Sequence, residues 1–321
     1  MKRKNISTNN EISDLLSLSL NGYEQKILIE GKSRTLPVVI TLHGGPGTPI
    51  PFSVGCRGIF PEFTDNFIMV YWDQLGCGIN NCIIDDAFSI DDFVKMTEDL
   101  IKEIKKRFAN NKILIFSTSW GSILSAKLLE RNPNAVDGVI ASGQIIKNVF
   151  LCEEVMNELD KSKISRKKMD KIRTVTVDNY SGKDLQLIST SLRKYTNAYQ
   201  NKIGSKAPMG SIIKGLLTSP DCKFKDFKAI MVNGYMKNNS LWKEILRIDL
   251  SEILGGVEIP YLLLQGDTDI VASTQTAKSL VSNCNNPNLR IQVISNTGHM
   301  PGVEMMEALM RVLKETADVL R

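Results

Sequence analysis

A serine at the end of an apolar segment is the first residue whose surroundings could support chemistry. Ser119 lies in the sequence F-S-T-S-W-G-S at 116–122, directly after the uninterrupted strand-like segment 112–117. A serine in a tight strand-to-helix turn is exposed above the sheet and faces the positive end of the following helix. The small residues Ser117 and Gly121 would let strand and helix approach closely. The pattern predicts a nucleophile, and a serine-rich turn without chemistry is the alternative.

A glycine-rich loop could supply the hydrogen-bond donors that acyl transfer needs. The sequence H-G-G-P-G at 43–47 follows the apolar segment 38–42. Glycine lets backbone N–H groups turn toward a ligand without steric cost, and such donors stabilise the oxyanion of a tetrahedral intermediate. We assign the N–H groups of Gly45 and Trp120 to this oxyanion hole, and we assign Gly44 to substrate binding. An ordinary Gly/Pro loop is the alternative.

An acid that could orient a catalytic histidine lies late in the chain. Asp269 comes three residues after Gly266, just past the strand-like segment 259–265. An acid past a late strand, followed by a histidine past the last strand, gives the order serine, acid, histidine that one class of serine hydrolases has. Asp267 competes for the same role, but we interpret it as a turn former. Asp269 is therefore the predicted acid.

The chain has two histidines, so few residues compete for the role of base. His299 lies past the strand-like segment 289–294, whereas His43 belongs to the glycine loop and is expected to hold that loop by hydrogen bonds. His299 would take the proton of Ser119 and return it to the leaving group, while Asp269 would fix the imidazole tautomer. Water would then hydrolyse the acyl-serine.

The elements that must position these residues alternate along the chain. Helical segments such as 91–107 and 122–131 separate strand-like segments at 27–30, 38–42, 67–72, 112–117, 136–142, 259–265 and 289–294. This order predicts an α/β fold whose mostly parallel sheet is covered by helices on both faces. A polar, lysine-rich segment of helical character separates the strand-like segments 136–142 and 259–265. We therefore predict a first core part at 1–145, a helical cap at 146–248 and a second core part at 249–321.

Composition excludes other classes of protein. The net charge of +5 is spread over 321 residues without interleaved aromatic residues, so we expect no nucleic-acid partner. The chain has no run of about 20 apolar residues, and the segment 12–20 is too polar for a signal peptide, so we expect no membrane association. The six cysteines lack metal-site spacing, which favours free thiols in the cytoplasm over a Cys77–Cys82 bridge. We expect no metal and no cofactor, and the oligomeric state stays open.

At these residues the chain resembles the proline iminopeptidase-like branch of the α/β hydrolases, the peptidase S33 group. The resemblance covers 20–145 and 250–321, and it rests on the acid and histidine order and on H-G-G-P-G at 43–47, V-Y-W-D-Q-x-G-x-G at 70–78 and S-W-G-S at 119–122. It implies an α/β-hydrolase fold with an inserted helical cap, and the triad Ser119, Asp269 and His299. It also implies release of N-terminal proline or other small residues from short peptides.

Three functions stay open within this scheme. Aminopeptidase action needs carboxylates for the free amine, yet the residue after the predicted acid, acidic in some members of the group, is Ile270. A carboxylesterase with an apolar pocket closed by the cap is the second, and a non-catalytic binding protein on a hydrolase scaffold is the third. The cap residues that would bind substrate are unknown at this point. The segment 70–78 is expected to line the floor or rim of the site without a catalytic part.

Overall fold

Eight strands form one sheet in the computed structural model of the chain, which describes residues 9–200, 209–231, 235 and 238–319. In chain order the strands are β1 (Ile12–Leu20), β2 (Tyr23–Gly31), β3 (Val38–Leu42), β4 (Ile68–Tyr71), β5 (Ile113–Thr118), β6 (Gly138–Ser142), β7 (Tyr261–Gly266) and β8 (Leu289–Ile294). Across the sheet they lie in the order β1-β2-β4-β3-β5-β6-β7-β8. Strands β3 to β8 are parallel, whereas β1 and β2 run antiparallel to their neighbours.

The middle of the sheet is buried on both faces. Every residue of β3, β4, β5 and β6 is buried. Successive side chains of a strand point to opposite faces, so Ile40 and Val70 belong to one apolar cluster and Val39 and Met69 to another. Parallel sheets are found where helices cover both faces. The predicted α/β fold with a mostly parallel sheet is therefore confirmed.

The hairpin of β1 and β2 was not predicted as a hairpin. The segment Ile12–Leu20, which is too polar for a signal peptide, forms a full strand paired with β2 from Ile12 with Gly31 to Leu20 with Tyr23. Asn21 and Gly22 connect the strands with φ of 48° and 80°. Such positive φ values at both central residues are typical of the Asn-Gly hairpin turn. The turn, rather than the strand, carried the recognisable sequence signal.

Twelve α-helices lie within the described residues. They are α1 (Pro61–Asn66), α2 (Ile90–Arg107), α3 (Trp120–Arg131), α4 (Glu153–Asp160), α5 (Arg166–Arg173), α6 (Gly182–Tyr195), α7 (Met209–Thr218), α8 (Phe224–Met231), α9 (Asn239–Arg247), α10 (Ser251–Gly255), α11 (Thr274–Asn283) and α12 (Val303–Val319). A capping box of Ser89 and Asp92 begins α2, and its apolar stripe, including Phe93 and Leu100, is buried. The predicted helix at 91–107 is confirmed.

The helices α4 to α9 follow β6 and precede β7, within the segment predicted as a cap. The chain leaves and rejoins the sheet at one place, where Lys147 and Asp249 form an isolated antiparallel bridge and the Leu250 N–H donates to the carbonyl of Ile146 at 2.9 Å. In this segment, residues 201–208, 232–234, 236 and 237 lie outside the described residues. The division into core and cap at 145 and 249 stays a prediction.

Three further properties bear on the environment of the protein. Within the described ranges, no helix combines the length and the apolar character needed to cross a membrane. All six cysteines carry free thiols, so Cys77 and Cys82 do not form a bridge. Among the described residues, no group of three or more His, Cys, Asp or Glu side chains could hold a metal ion.

Candidate active site

Ser119 occupies a strained turn between β5 and α3. Its φ of 49° and ψ of −116° lie outside the regions that L-residues favour. A Cβ atom on Gly121 would lie 2.0 Å from the carbonyl oxygen of Leu42, so only glycine fits there. Ser117 replaces the usual glycine before the nucleophile, and its hydroxyl bonds the hydroxyl of buried Ser125 at 3.0 Å. The close approach of strand and helix is kept, and the extra hydroxyl has a partner.

The structure brings the three predicted catalytic side chains together. The Nε2 atom of His299 lies 2.9 Å from the Oγ of Ser119, and its Nδ1 lies 2.8 Å from Oδ2 of Asp269. An Nδ1–H that donates to the carboxylate leaves Nε2 as the acceptor for the serine hydroxyl. Asp269 and His299 are buried, whereas Ser119 is partly exposed to the cavity described below. This is the arrangement that a serine nucleophile requires.

The two candidate acids have different tasks. The Oδ1 atom of Asp269 accepts N–H groups from Val271 at 2.9 Å and Ala272 at 3.0 Å, which aims Oδ2 at His299. Asp267 instead accepts the N–H groups of Asn296 and Thr297, both at 3.0 Å, and so holds the loop that precedes the histidine. Asp267 also lies in the tight turn in which the Asp269 N–H donates to the carbonyl of Gly266 at 3.2 Å, in agreement with its interpretation as a turn former.

The helical segment also holds the histidine, through its backbone. The N–H of His299 donates to the carbonyl of Ala198 at 2.8 Å, and the N–H of Met300 donates to the carbonyl of Tyr199 at 3.0 Å. The Tyr199 ring meets the His299 ring edge to face at 5.7 Å. Sequence reasoning missed this contact, because backbone carbonyls carry no signal in residue type.

His43 holds the glycine loop, as predicted. Its Nδ1–H donates to the carbonyl of Gly44 at 2.8 Å, and its Nε2 accepts the N–H of Gln74 at 2.9 Å. Burial lowers the pKa of His43 to about 4, so the ring is neutral near pH 7. A Cβ on Gly44 would lie 3.2 Å from the carbonyl of Thr118, which places this loop directly against the serine turn. Gly45 has a φ of 123°, which favours glycine.

Gln74 connects the two predicted parts of the oxyanion hole. Its Nε2–H donates to the carbonyl of His43 at 3.2 Å, and its Oε1 accepts the indole N–H of Trp120 at 2.8 Å. The segment 70–78 was expected to line the floor or rim of the site. None of its residues is among those that line the cavity, and all of them are buried, in agreement with a buried strand and tight turn without a catalytic part. It lies behind the loop and the turn and fixes their spacing.

A cavity of about 260 Å³ opens above Ser119. The glycine loop and the catalytic loops form one side, with Gly44, Gly45 and His299 among the lining residues. The other side comes from the helical segment, which contributes Leu185, Gln186, Ser189, Arg193, Tyr199 and Trp242. The residues through which the predicted cap lines the cavity therefore lie mostly on α6. Gly44 lines the cavity, as its assignment to substrate binding requires.

Comparisons with known proteins agree with this architecture. The sequence profile of a family described as alpha/beta hydrolase fold matches residues 37–304. A probable aminopeptidase, YbaC of Bacillus subtilis (strain 168), is 21% identical over 305 residues, or 91% of this chain and 92% of the relative. A proline iminopeptidase of Neisseria gonorrhoeae is 37% identical over 120 residues, or 36% of this chain and 33% of the relative. The crystal structure of proline iminopeptidase from Mycobacterium smegmatis superposes with a TM-score of 0.64 at 16% identity, over 95% of this chain and 98% of that one.

Proposed function

This chain belongs to the α/β-hydrolase fold family and is a serine hydrolase, and we propose that Ser119, His299 and Asp269 are its catalytic triad. The observation that carries the proposal is the continuous pair of hydrogen bonds at 2.9 and 2.8 Å that joins the three side chains. A serine hydroxyl is a weak nucleophile until a positioned base accepts its proton. His299 is that base, and Asp269 stabilises the imidazolium that forms.

The reaction proceeds through an acyl-enzyme. Ser119 Oγ attacks the acyl carbon while His299 Nε2 takes the hydroxyl proton, and the carbonyl oxygen becomes an oxyanion. The N–H groups of Gly45 and Trp120 stabilise it, the latter from the first turn of α3, where helical N–H groups lack intrahelical acceptors. His299 then protonates the leaving group. Water, deprotonated by the same ring, attacks the acyl-serine and releases the acid.

The substrate is a small acyl compound, which is either an amide such as a short peptide or an ester. The names of the relatives support release of small N-terminal residues from peptides. Carboxylesterase activity is the second candidate, and the cavity favours it, because no Asp or Glu lies among its described lining residues to bind a free amine. A cytoplasmic location and the lack of nucleic-acid and membrane partners stay predictions from composition.

One experiment separates these possibilities. Wild-type protein and the Ser119→Ala variant are assayed with proline arylamides, other aminoacyl arylamides and short p-nitrophenyl esters, and both are treated with a fluorophosphonate probe. We expect wild-type protein to be labelled and to hydrolyse at least one of these substrate classes, and the variant to do neither while unfolding at the same temperature. A wild-type serine that stays unlabelled would favour the third hypothesis, a binding protein on a hydrolase scaffold.

A further inference from the structure

The described lining of the catalytic cavity carries a positive charge and no negative one. Among its described lining residues, Arg193 is the one side chain that is charged at all ordinary pH values. The stretches of the chain outside the described residues contain no Asp or Glu, so every carboxylate side chain of the protein has a described position. None of them lines the cavity, and none lies within 4 Å of the Arg193 guanidinium. The cavity is therefore cationic.

Arg193 is oriented by the aromatic residue that also contacts the base. Leu185, Ser189 and Arg193 recur at intervals of four along α6 and so lie on one helix face, the face that lines the cavity. The guanidinium carbon lies 4.9 Å from the centre of the Tyr199 ring. The hydroxyl of Tyr199 bonds that of Ser189 at 2.8 Å, and its ring contacts the His299 ring. Stacking on an aromatic ring leaves the in-plane N–H groups of a guanidinium available to a planar anion.

Asp269 lies behind His299 and is paired with its ring, and three other acids face a different depression. Glu154, Glu158 and Asp267 line a separate surface hollow of about 510 Å³, which shares no lining residue with the catalytic cavity. A cationic amine bound at the site would meet no carboxylate among the described lining residues and would face Arg193. A bound anion would instead be attracted to the site, since its negative charge would lie close to the guanidinium.

We propose that the substrate of this site carries a carboxylate, which Arg193 binds while the acyl carbon meets Ser119. The inference rests on the proposed function of Ser119 and specifies its substrate class. An arginine pairs with a carboxylate through two parallel N–H donors, which gives direction as well as affinity. The carboxylate can belong to the acyl group, as in a half-ester of a dicarboxylic acid, or to the leaving group, as in the C-terminal residue of a short peptide. Both sources present the same chemistry to Arg193.

The test uses two pairs of esters that differ by one carboxylate. In the acyl pair, mono-p-nitrophenyl glutarate is compared with p-nitrophenyl pentanoate, after subtraction of the uncatalysed rate. In the leaving-group pair, 4-carboxyphenyl acetate is compared with 4-methylphenyl acetate. We expect Arg193→Gln to lower the anionic-to-neutral ratio of kcat/KM about five- to tenfold in one pair, mainly through KM, and Arg193→Lys to restore part of it. The pair that responds identifies the position of the carboxylate.

Lys194 provides the matched control. It is the next residue of α6 and lies over the Tyr195 ring at 5.2 Å, outside the catalytic cavity. Lys194→Gln removes the same charge from the same helix, so a general electrostatic effect would lower the ratio in both variants. A ratio that is unchanged in Arg193→Gln for both ester pairs, or lowered equally in Lys194→Gln, would overturn the inference.

Labelling of Ser119 separates this inference from the proposed function. We expect glutarate to slow the labelling of Ser119 by a neutral fluorophosphonate in wild-type protein, and to slow it less in Arg193→Gln. Neutral glutaramide should not slow labelling in either protein. This readout needs no turnover. Absence of labelling in wild-type protein would count against the proposed function itself, whereas labelling with protection that does not depend on Arg193 would count against the anionic substrate alone.

Discussion

The two sides of the catalytic cavity are built differently. On the sheet side, buried polar side chains hydrogen-bond to one another and to the backbone: Asp269 holds His299, and His43 and Gln74 hold the glycine loop. In the helical segment, many ion pairs are exposed, as between Arg173 and Asp160 at 2.6 Å with side chains 55% and 43% exposed, whereas the pair of Asp221 with Arg57 of the core is buried. Buried networks fix geometry, whereas exposed pairs contribute little. The comparison suggests that the sheet side sets the chemistry and the helical side sets the substrate.

The largest effect should come from the two neighbouring acids of the sheet side. Asp269→Asn should lower kcat by a factor on the order of 10⁴, because an amide does not hold the imidazole in the required tautomer. Asp267→Asn serves as the control, since the described partners of its carboxylate are the backbone N–H groups of Asn296 and Thr297, in the loop before His299. We expect a much smaller loss there, together with a lower melting temperature. Equal losses of kcat in the two variants would contradict the assignment of Asp269.

These acids also illustrate what the sequence makes predictable. The triad could be predicted because its members are chemically specific, follow a fixed chain order and lie directly after strands. The chain has two histidines, and one belongs to the glycine loop, so the base had few competitors. The central strands could be predicted because parallel strands buried on both faces form uninterrupted apolar runs.

Other features had a weaker signal or none. Gln74 is a polar residue after an apolar strand, and that contrast could have identified it as a buried hydrogen-bonding residue. The Asn21-Gly22 turn between two alternating segments could have identified the β1 hairpin. Arg193 had no such signal, because its position beside the cavity depends on how α6 packs above the sheet, and its exposed side chain resembles any surface arginine of an amphipathic helix.

Two glutamines, one on each side of the cavity, give the next comparison. Gln74→Met removes the acceptor of the Trp120 indole and the donor to His43, so we expect kcat to fall about 10- to 100-fold through a displaced oxyanion hole. Gln186 lines the cavity from α6, and Gln186→Met should change KM with little change in kcat. Steady-state kinetics on one ester measures both. A pure KM effect in Gln74→Met would show that Gln74 does not position the oxyanion donors.

Two tryptophans, Trp120 on the sheet side and Trp242 on the helical side, should differ in their contribution to stability. The Trp120 indole N–H donates to Gln74 at 2.8 Å, whereas the buried Trp242 indole N–H has no hydrogen-bond partner among the described residues. Trp120→Phe should therefore lower the free energy of unfolding by about 1 to 3 kcal/mol more than Trp242→Phe, because it leaves the Gln74 acceptor unpaired. Trp242 lines the cavity, so Trp242→Phe should shift the preference toward longer acyl chains. Denaturant unfolding and an ester chain-length series test the two parts.

The smallest effect concerns the pH dependence of unfolding. Burial holds the pKa of His43 at about 4, below the value near 6.5 of an unfolded chain. Between these values the unfolded state binds the proton and the folded state does not, so His43 lowers stability as the pH falls from about 6.5 to about 4. Burial raises the pKa of Asp73 to about 6, which acts in the opposite direction over nearly the same range. The whole-protein curve therefore hides both contributions.

A difference curve isolates the histidine. His43→Gln keeps a donor for Gly44 and an acceptor for the Gln74 N–H but does not titrate, so subtracting its unfolding free energies from those of wild-type protein removes the Asp73 contribution. We expect the difference to fall by up to roughly 3 kcal/mol from pH 6.5 to pH 4, and to level off below. A flat difference curve would show that burial does not hold His43 neutral in the folded protein, which would contradict its place in the buried hydrogen-bond network of the sheet side.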